Sequence, residues 1–175
     1  KDFPGMIKVI QEQAWSLWND FLEPDFGFDK EYLQVTFSGH RGFHLHYRDP
    51  SYLHLGSEAR RELVSHIRGE GVEVSDLLDR SRHPEATGWA KRVGHGIESV
   101  VEKLDMIHSG DTATLRTLTS ALKEMMDREG MKGLRGKSSV EKLSELMQSP
   151  SRRERVLDGR IAALNNHAVL FQNLI

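Results

Sequence analysis

Side chains able to do chemistry are concentrated in residues 37–47, whose sequence is FSGHRGFHLHY. Ser38, His40, Arg41 and His44 combine a hydroxyl, two imidazoles and a guanidinium, and the stretch contains no acid. Arginine binds a phosphate through two parallel hydrogen bonds, and the amides of a glycine-containing loop can add to an anion site. The residue types therefore indicate a site for an anion such as a phosphate group.

Two short strands must position these side chains. Apolar and polar residues alternate over 33–38 and again over 43–48, and this alternation has the period of a half-buried strand. A five-residue loop from Gly39 to Phe43 would join them, and Gly39 and Gly42 can take positive φ and let a ligand approach the backbone closely. This hairpin pairs Ser38 with His44, Thr36 with His46, Gln34 with Arg48, Phe37 with Leu45, and Val35 with Tyr47.

The residues of the polar face allow two other interpretations. A metal site is conceivable because His44 and His46 share one face and histidine is a common metal ligand. No third ligand lies nearby at a recognisable spacing, and the chain has no cysteine, so the pattern disfavours a metal. A polar face that only contacts solvent remains an alternative to the anion site.

The same residues resemble a family signature. The stretch from Ser38 to His44 is similar to the Ser-Gly-x-Arg-Gly-x-His motif of the small, catalytic subunit of archaeal and eukaryotic DNA primases. His44-Leu45-His46-Tyr47-Arg48-Asp49 follows the archaeal continuation of that motif. The flanks 18–27 and 55–64 resemble the elements before and after the motif strand, so the resemblance covers roughly residues 6–72.

The resemblance implies an enzyme that synthesises short RNA or DNA primers on a DNA template from nucleoside triphosphates during replication. It also implies a primase large subunit as heterodimer partner, a single-stranded DNA template, and a cytoplasmic location at the archaeal nucleoid. The matched positions hold the triphosphate of the incoming nucleotide: they are Ser38, His40, Arg41 and His44, with support from Gly39, Gly42 and His46.

The chain departs from the family in its acids and cysteines. The family holds two metal ions, Mg²⁺ or Mn²⁺, through an Asp-x-Asp pair upstream of the motif and a third aspartate downstream. This chain contains no Asp-x-Asp and no cysteine, so we assign no catalytic and no metal-binding residue in it. We expect a segment of a longer protein, inactive alone, whose metal ligands and any zinc element lie outside it.

Three functional hypotheses follow. The first is a segment of a replicative primase small subunit, which the His-x-His continuation and the helical second half favour. The second is an end-joining or plasmid-borne primase-polymerase of the same superfamily. The third is a non-enzymatic module whose hairpin binds an anion or a partner.

The predicted fold class is α+β. Residues 1–78 are expected to form part of the catalytic core, with a helix over 6–22, the hairpin, and a helix from an N-cap at Ser57 to about Arg68. Residues 79–175 are expected to form an all-helical subdomain without strands. Its predicted helices cover 90–107, a segment capped by Asp111, a short helix with a capping box at Ser138 to Glu141, and, after a break at Pro150, a stretch through 156–169.

Composition sets wider limits. The 175 residues are 38% hydrophobic and 29% charged with a net charge of −2, which is typical of a globular protein and gives no overall nucleic-acid signature. No run of eighteen apolar residues exists, so no membrane contact is expected. Two basic clusters lie at 132–137 and 152–155. The first could contact a nucleic-acid backbone, although a solvent-exposed loop is the favoured interpretation, and the second is expected to be a helix surface.

Overall fold

The computed structural model describes residues 3–39, 42–129 and 136–175. The fold class is α+β, as predicted, with one two-stranded antiparallel sheet among helices. The chain divides into two compact units, Lys1–Gly71 and Val72–Ile175.

The first unit contains the hairpin and the helices that flank it. The predicted helix over 6–22 is confirmed, although its last part is a π-helical turn, Trp18–Leu22. The predicted N-cap at Ser57 is wrong because the cap is Gly56 and Ser57 is the first helical residue. In order, the elements are α1 (Phe3–Leu17), the π-helical turn, α2 (Glu23–Phe26), a 3-10 turn (Lys30–Tyr32), β1 (Leu33–Phe37), β2 (Phe43–Tyr47) and α3 (Ser57–Arg68).

Aromatic rings hold the base of the hairpin. Trp18 is completely buried, and its ring centroid lies 6.2 Å from that of Tyr47. Phe28 stacks on Tyr47 with centroids 4.0 Å apart and an interplanar angle of 5°, and Tyr52 meets Phe28 edge-on at 4.9 Å. Such pairs add directional stabilisation to apolar burial, so the end of β2 is fixed relative to the π-helical turn that follows α1.

The strand register differs from the predicted one by two residues. Thr36 pairs with His44, and Phe37 pairs with Phe43. The Ser38 N–H donates to the Gly42 carbonyl at 2.9 Å, which closes the loop at these residues instead of at Ser38 and His44. Since side chains alternate with period two, a shift of two changes the pairs but keeps every residue on its predicted face.

The second unit is helical, and none of its described residues forms a strand. Its core is a continuous cluster that includes the fully buried Leu104, Leu143 and Phe171. Ser144, also buried, donates its hydroxyl to the Leu104 carbonyl at 2.9 Å. The elements are α4 (Val74–Ser81), α5 (Gly88–His108), α6 (Thr112–Glu129), α7 (Gly136–Leu146), α8 (Pro150–Leu157), a 3-10 segment (Ile161–His167) and α9 (Ala168–Gln172).

One of the predicted helix starts in this unit is confirmed and one is wrong. Asp111 caps α6, because one carboxylate oxygen accepts from the backbone N–H groups of Ala113 (2.9 Å) and Thr114 (3.1 Å). The capping box at Ser138 does not form a helix start, since α7 begins at Gly136 and Ser138 lies inside it.

The predicted helix through 156–169 is also wrong, because this stretch is divided among α8, the 3-10 segment and α9. Gly159 ends the first piece with φ 78°, and a Cβ there would lie 2.3 Å from the Leu78 carbonyl oxygen. Asn165 has φ 51° inside the 3-10 segment, a conformation that does not continue a right-handed helix. Apolar spacing alone does not reveal these backbone turns.

None of the described helices has both the length and the apolar character needed to cross a membrane.

Candidate functional site

The loop end of the hairpin is organised by Ser38. Its Oγ accepts a hydrogen bond from the Gly42 N–H at 3.1 Å, and its own N–H donates to the Gly42 carbonyl at 2.9 Å. Gly39 follows with φ 77°, in the left-handed region that favours glycine. The predicted ligand hydroxyl therefore also shapes the loop that would surround a ligand.

His44 and His46 stand on the same face of the sheet. Both are exposed, and their rings lie 6.2 Å apart at an interplanar angle of 21°. The His46 Nε2 is 3.2 Å from the Thr36 hydroxyl oxygen on the neighbouring strand. The face therefore brings imidazole N–H groups and a threonine hydroxyl into the solvent, where they can donate hydrogen bonds to an anion.

His40 and Arg41, the two predicted loop ligands, lie outside the described residues. Their assignment to the triphosphate stays a prediction.

A hydrogen-bonded turn fixes the end of β2. The Tyr47 hydroxyl accepts from the Asp29 N–H at 3.0 Å and donates to Asp49 at 3.2 Å. Asp49 also accepts from the hydroxyl and N–H of Ser51, at 2.6 and 2.8 Å, and these bonds lower the pKa of Asp49. Burial is the main reason that the pKa of Tyr47 is raised. This turn was not predicted from the sequence, although Asp-Pro-Ser is a recognisable turn signal.

Asp25 has a role that the sequence did not indicate. It lies in α2 with a side chain that is 4% exposed. Its carboxylate is 2.8 Å from the His66 Nε2 on α3, and the His66 ring meets Phe26 edge-on at 5.2 Å. The carboxylate thus joins α2 to α3. The two residues are 41 positions apart in the chain, so no local sequence pattern encodes their contact.

The described part of the face does not fit Mg²⁺ or Mn²⁺. Those ions prefer carboxylate and carbonyl oxygens, whereas the face presents imidazoles and hydroxyls. No group of three or more His, Cys, Asp or Glu residues able to hold a metal occurs within residues 3–39, 42–129 and 136–175. The imidazole and hydroxyl groups of the face have the chemistry to donate hydrogen bonds to an anion.

Comparison with known proteins supports the resemblance. Residues 2–166 match the family described as DNA primase small subunit. The DNA primase small subunit PriS of Methanothrix thermoacetophila is 36% identical over 120 residues, which cover 59% of this chain and 30% of that protein. PriS of Halobacterium salinarum is 38% identical over 114 residues, covering 57% and 28%. PriS of Methanosarcina acetivorans is 30% identical over 132 residues, covering 75% and 31%.

The matched region thus spans about 30% of the length of these relatives. No solved structure matches the chain significantly.

Proposed function

The chain belongs to the DNA primase small-subunit family, and from this premise we propose that its hairpin holds the triphosphate of an incoming nucleotide during primer synthesis. The observation that carries the proposal is the exposed polar face of the hairpin, on which Thr36, His44 and His46 stand together without a carboxylate. An acid-free face does not repel a polyanion, and an imidazole carries an N–H that can donate a hydrogen bond to a phosphate oxygen.

The proposed division of roles follows position. Ser38 and Gly42 shape the loop through their reciprocal bonds, and His44 contacts a phosphate oxygen directly. The two loop ligands, His40 and Arg41, add a second imidazole and a guanidinium. Gly39, Gly42 and His46 support the site.

The longer protein, in this proposal, carries the steps that the hairpin does not. It supplies the carboxylates that bind Mg²⁺ or Mn²⁺, copies a single-stranded DNA template, and pairs with a primase large subunit in the cytoplasm at the nucleoid. Any zinc element also lies there. The hairpin contributes nucleotide binding, and the 175-residue chain alone is expected to synthesise no primers.

The test is nucleoside triphosphate binding to the 175-residue chain, measured by NMR shifts and calorimetry with and without Mg²⁺. Losing one hydrogen bond to a charged phosphate costs roughly 1.5–3 kcal/mol, so His44→Ala should bind at least about tenfold more weakly. The matched control is His54→Ala, which removes an exposed imidazole of the same unit away from the hairpin.

Equal binding by His44→Ala and the unaltered chain would overturn the assignment. Displacement of the nucleotide by sulfate at equal concentration would instead indicate a general anion-binding module, because a triphosphate site should prefer the polyphosphate.

A further inference from the structure

The second unit contains a wide cleft of about 850 Å³ that the hairpin does not involve. It lies between α4, the start of α8 and the segment that follows Gly159. The charged residues that line it are Arg152, Arg155, Arg160 and Asp79. Ser75, Ser149 and Ser151 add hydroxyl groups, and a few aliphatic side chains complete the lining.

The arginines are placed differently. Arg152 is anchored because its Nε and Nη1 donate to the carbonyls of Ala163 (3.1 Å) and Leu146 (3.4 Å). A guanidinium has five N–H donors, so Arg152 keeps donors that those two bonds do not use. Arg160 pairs with Asp158 at 2.5 Å, which offsets much of its charge.

Arg155 and Asp79 are the two charged residues of the cleft whose side chains bond to no other described residue. Both are exposed, and neither has an ion pair or side-chain hydrogen bond with another described residue. A guanidinium without a carboxylate partner is available to a phosphate, and Arg is well suited to bind it through two donors. The negative charge of Asp79 opposes an anion, so it should weaken phosphate binding in the cleft.

The lining also restricts the kind of ligand. No aromatic side chain is among the described residues that line the cleft, so it offers no platform on which a nucleobase could stack. Serine hydroxyls and arginines instead suit phosphate oxygens, which every nucleotide of a strand repeats.

We propose that this cleft binds the sugar-phosphate backbone of a single-stranded nucleic acid, with Arg155 as its principal contact and Arg152 as a fixed second donor. The choice of a nucleic-acid strand rests on the proposed function, whereas the charge of the cleft does not. The proposed cleft site differs from the hairpin site in its ligand, because it binds the phosphates along a nucleic-acid strand and not the triphosphate of a nucleotide.

The test is the binding of a fluorescently labelled oligodeoxythymidine to the 175-residue chain, followed by anisotropy over a range of salt concentrations. Arg155→Gln should weaken binding roughly two- to fivefold, the size of one exposed ion pair. It should also reduce the slope of log K against log salt by about 0.7, the value for one single-strand phosphate contact. The matched control is Arg116→Gln on α6, which makes the same change of charge at an exposed arginine outside the cleft.

A variant that is expected to bind the oligonucleotide more tightly is also needed, because misfolding can lower the affinity but does not raise it. Asp79→Asn should tighten binding by a similar factor because it removes the negative charge of the cleft. Asp127→Asn, at an exposed aspartate outside the cleft, should leave binding nearly unchanged. Effects of Arg155→Gln and Asp79→Asn no larger than those of their controls would overturn the proposal.

The two proposals fail in different ways. If the hairpin variant His44→Ala loses triphosphate binding but keeps oligonucleotide binding, the cleft proposal is supported. If saturating triphosphate displaces the oligonucleotide and His44→Ala abolishes its binding, the strand lies on the hairpin and the cleft proposal is wrong. Absence of triphosphate binding, with the responses of Arg155→Gln and Asp79→Asn intact, would remove only the proposed function.

Discussion

At the scale of single residues, local conformation and ligand chemistry are combined in the same side chains. Ser38 is a candidate phosphate ligand, yet its Oγ already accepts from the Gly42 N–H. A serine hydroxyl is both a donor and an acceptor, so its acceptor role in the loop does not by itself exclude a contact with an anion. A serine in this position therefore prepares the loop shape before any ligand arrives.

Gly159 shows how one residue sets the path of the chain, and it gives a direct prediction. Gly159→Ala should destabilise the protein strongly because φ is 78° and the new Cβ would lie 2.3 Å from the backbone oxygen of Leu78. Gly110→Ala is the matched control, since Gly110 has φ 97° but no atom within 4 Å of a Cβ. Its cost should be the conformational strain alone, about 1–2 kcal/mol.

Denaturant unfolding monitored by circular dichroism measures both variants. The difference between them isolates the steric clash, and equal losses of stability would show that α4 moves away from Gly159 without resistance.

At the scale of elements, termini are decided by side chains that reach back to the backbone. Asp111 illustrates this at the start of α6: besides the two backbone N–H groups, its carboxylate accepts from the Thr114 hydroxyl at 2.8 Å. The hydrogen bonds from the Thr114 backbone and side chain are the main reason that the pKa of Asp111 is lowered. The cap was predicted correctly because capping depends on neighbours within one turn.

The lowered pKa of Asp111 predicts how stability depends on pH. A carboxyl whose pKa is lower in the folded than in the unfolded chain stabilises the fold above the ordinary value of about 3.9. That contribution is lost as the pH falls below this value and through the folded pKa. Asp111→Asn removes the titration, so its stability should fall less steeply than that of the unaltered chain between pH 4 and pH 2.

Thermal unfolding midpoints across this pH range provide the measurement. Parallel curves for the two proteins would show that the cap does not couple to protonation.

At the scale of the whole molecule, the two units differ in how much core they possess. Within the described residues, the buried hydrophobic side chains of the first unit are Trp18 and Phe28. The second unit contains a continuous buried cluster built from α5, α6, α7 and the segments after Pro150. Apolar burial is the dominant favourable contribution to folding, so the units should differ in stability.

Hydrogen exchange should reveal this difference. We expect the amides of the hairpin to exchange through openings of lower free energy than the central amides of α5, because local stability follows the density of buried contacts. Residue-resolved exchange by NMR is the measurement. Identical opening free energies in β1, β2 and α5 would show that the whole chain unfolds as one cooperative unit.

Patterns that are local in sequence were enough for much of this protein. The period of two in 33–37 and 43–47 determined both strands and the face of every residue on them. Apolar residues at helical spacing located α1, α5 and α6, and the predicted end of a helix at about Arg68 is confirmed by α3, whose C-cap is Gly69. The hairpin motif also identified the family, because ligand-holding loops depend on a few residue types at fixed spacing.

Only the tertiary structure decided the features that depend on distant contacts. The hydrogen bond between Ser38 and Gly42 set the hairpin register. Asp25 contacts His66 on another helix, and the helix before Gly159 ends where α4 packs against that glycine. The cleft with Arg155 and Asp79 likewise joins segments far apart in the chain. Local patterns encode backbone periodicity and caps, whereas packing between distant segments chooses among the arrangements that those patterns allow.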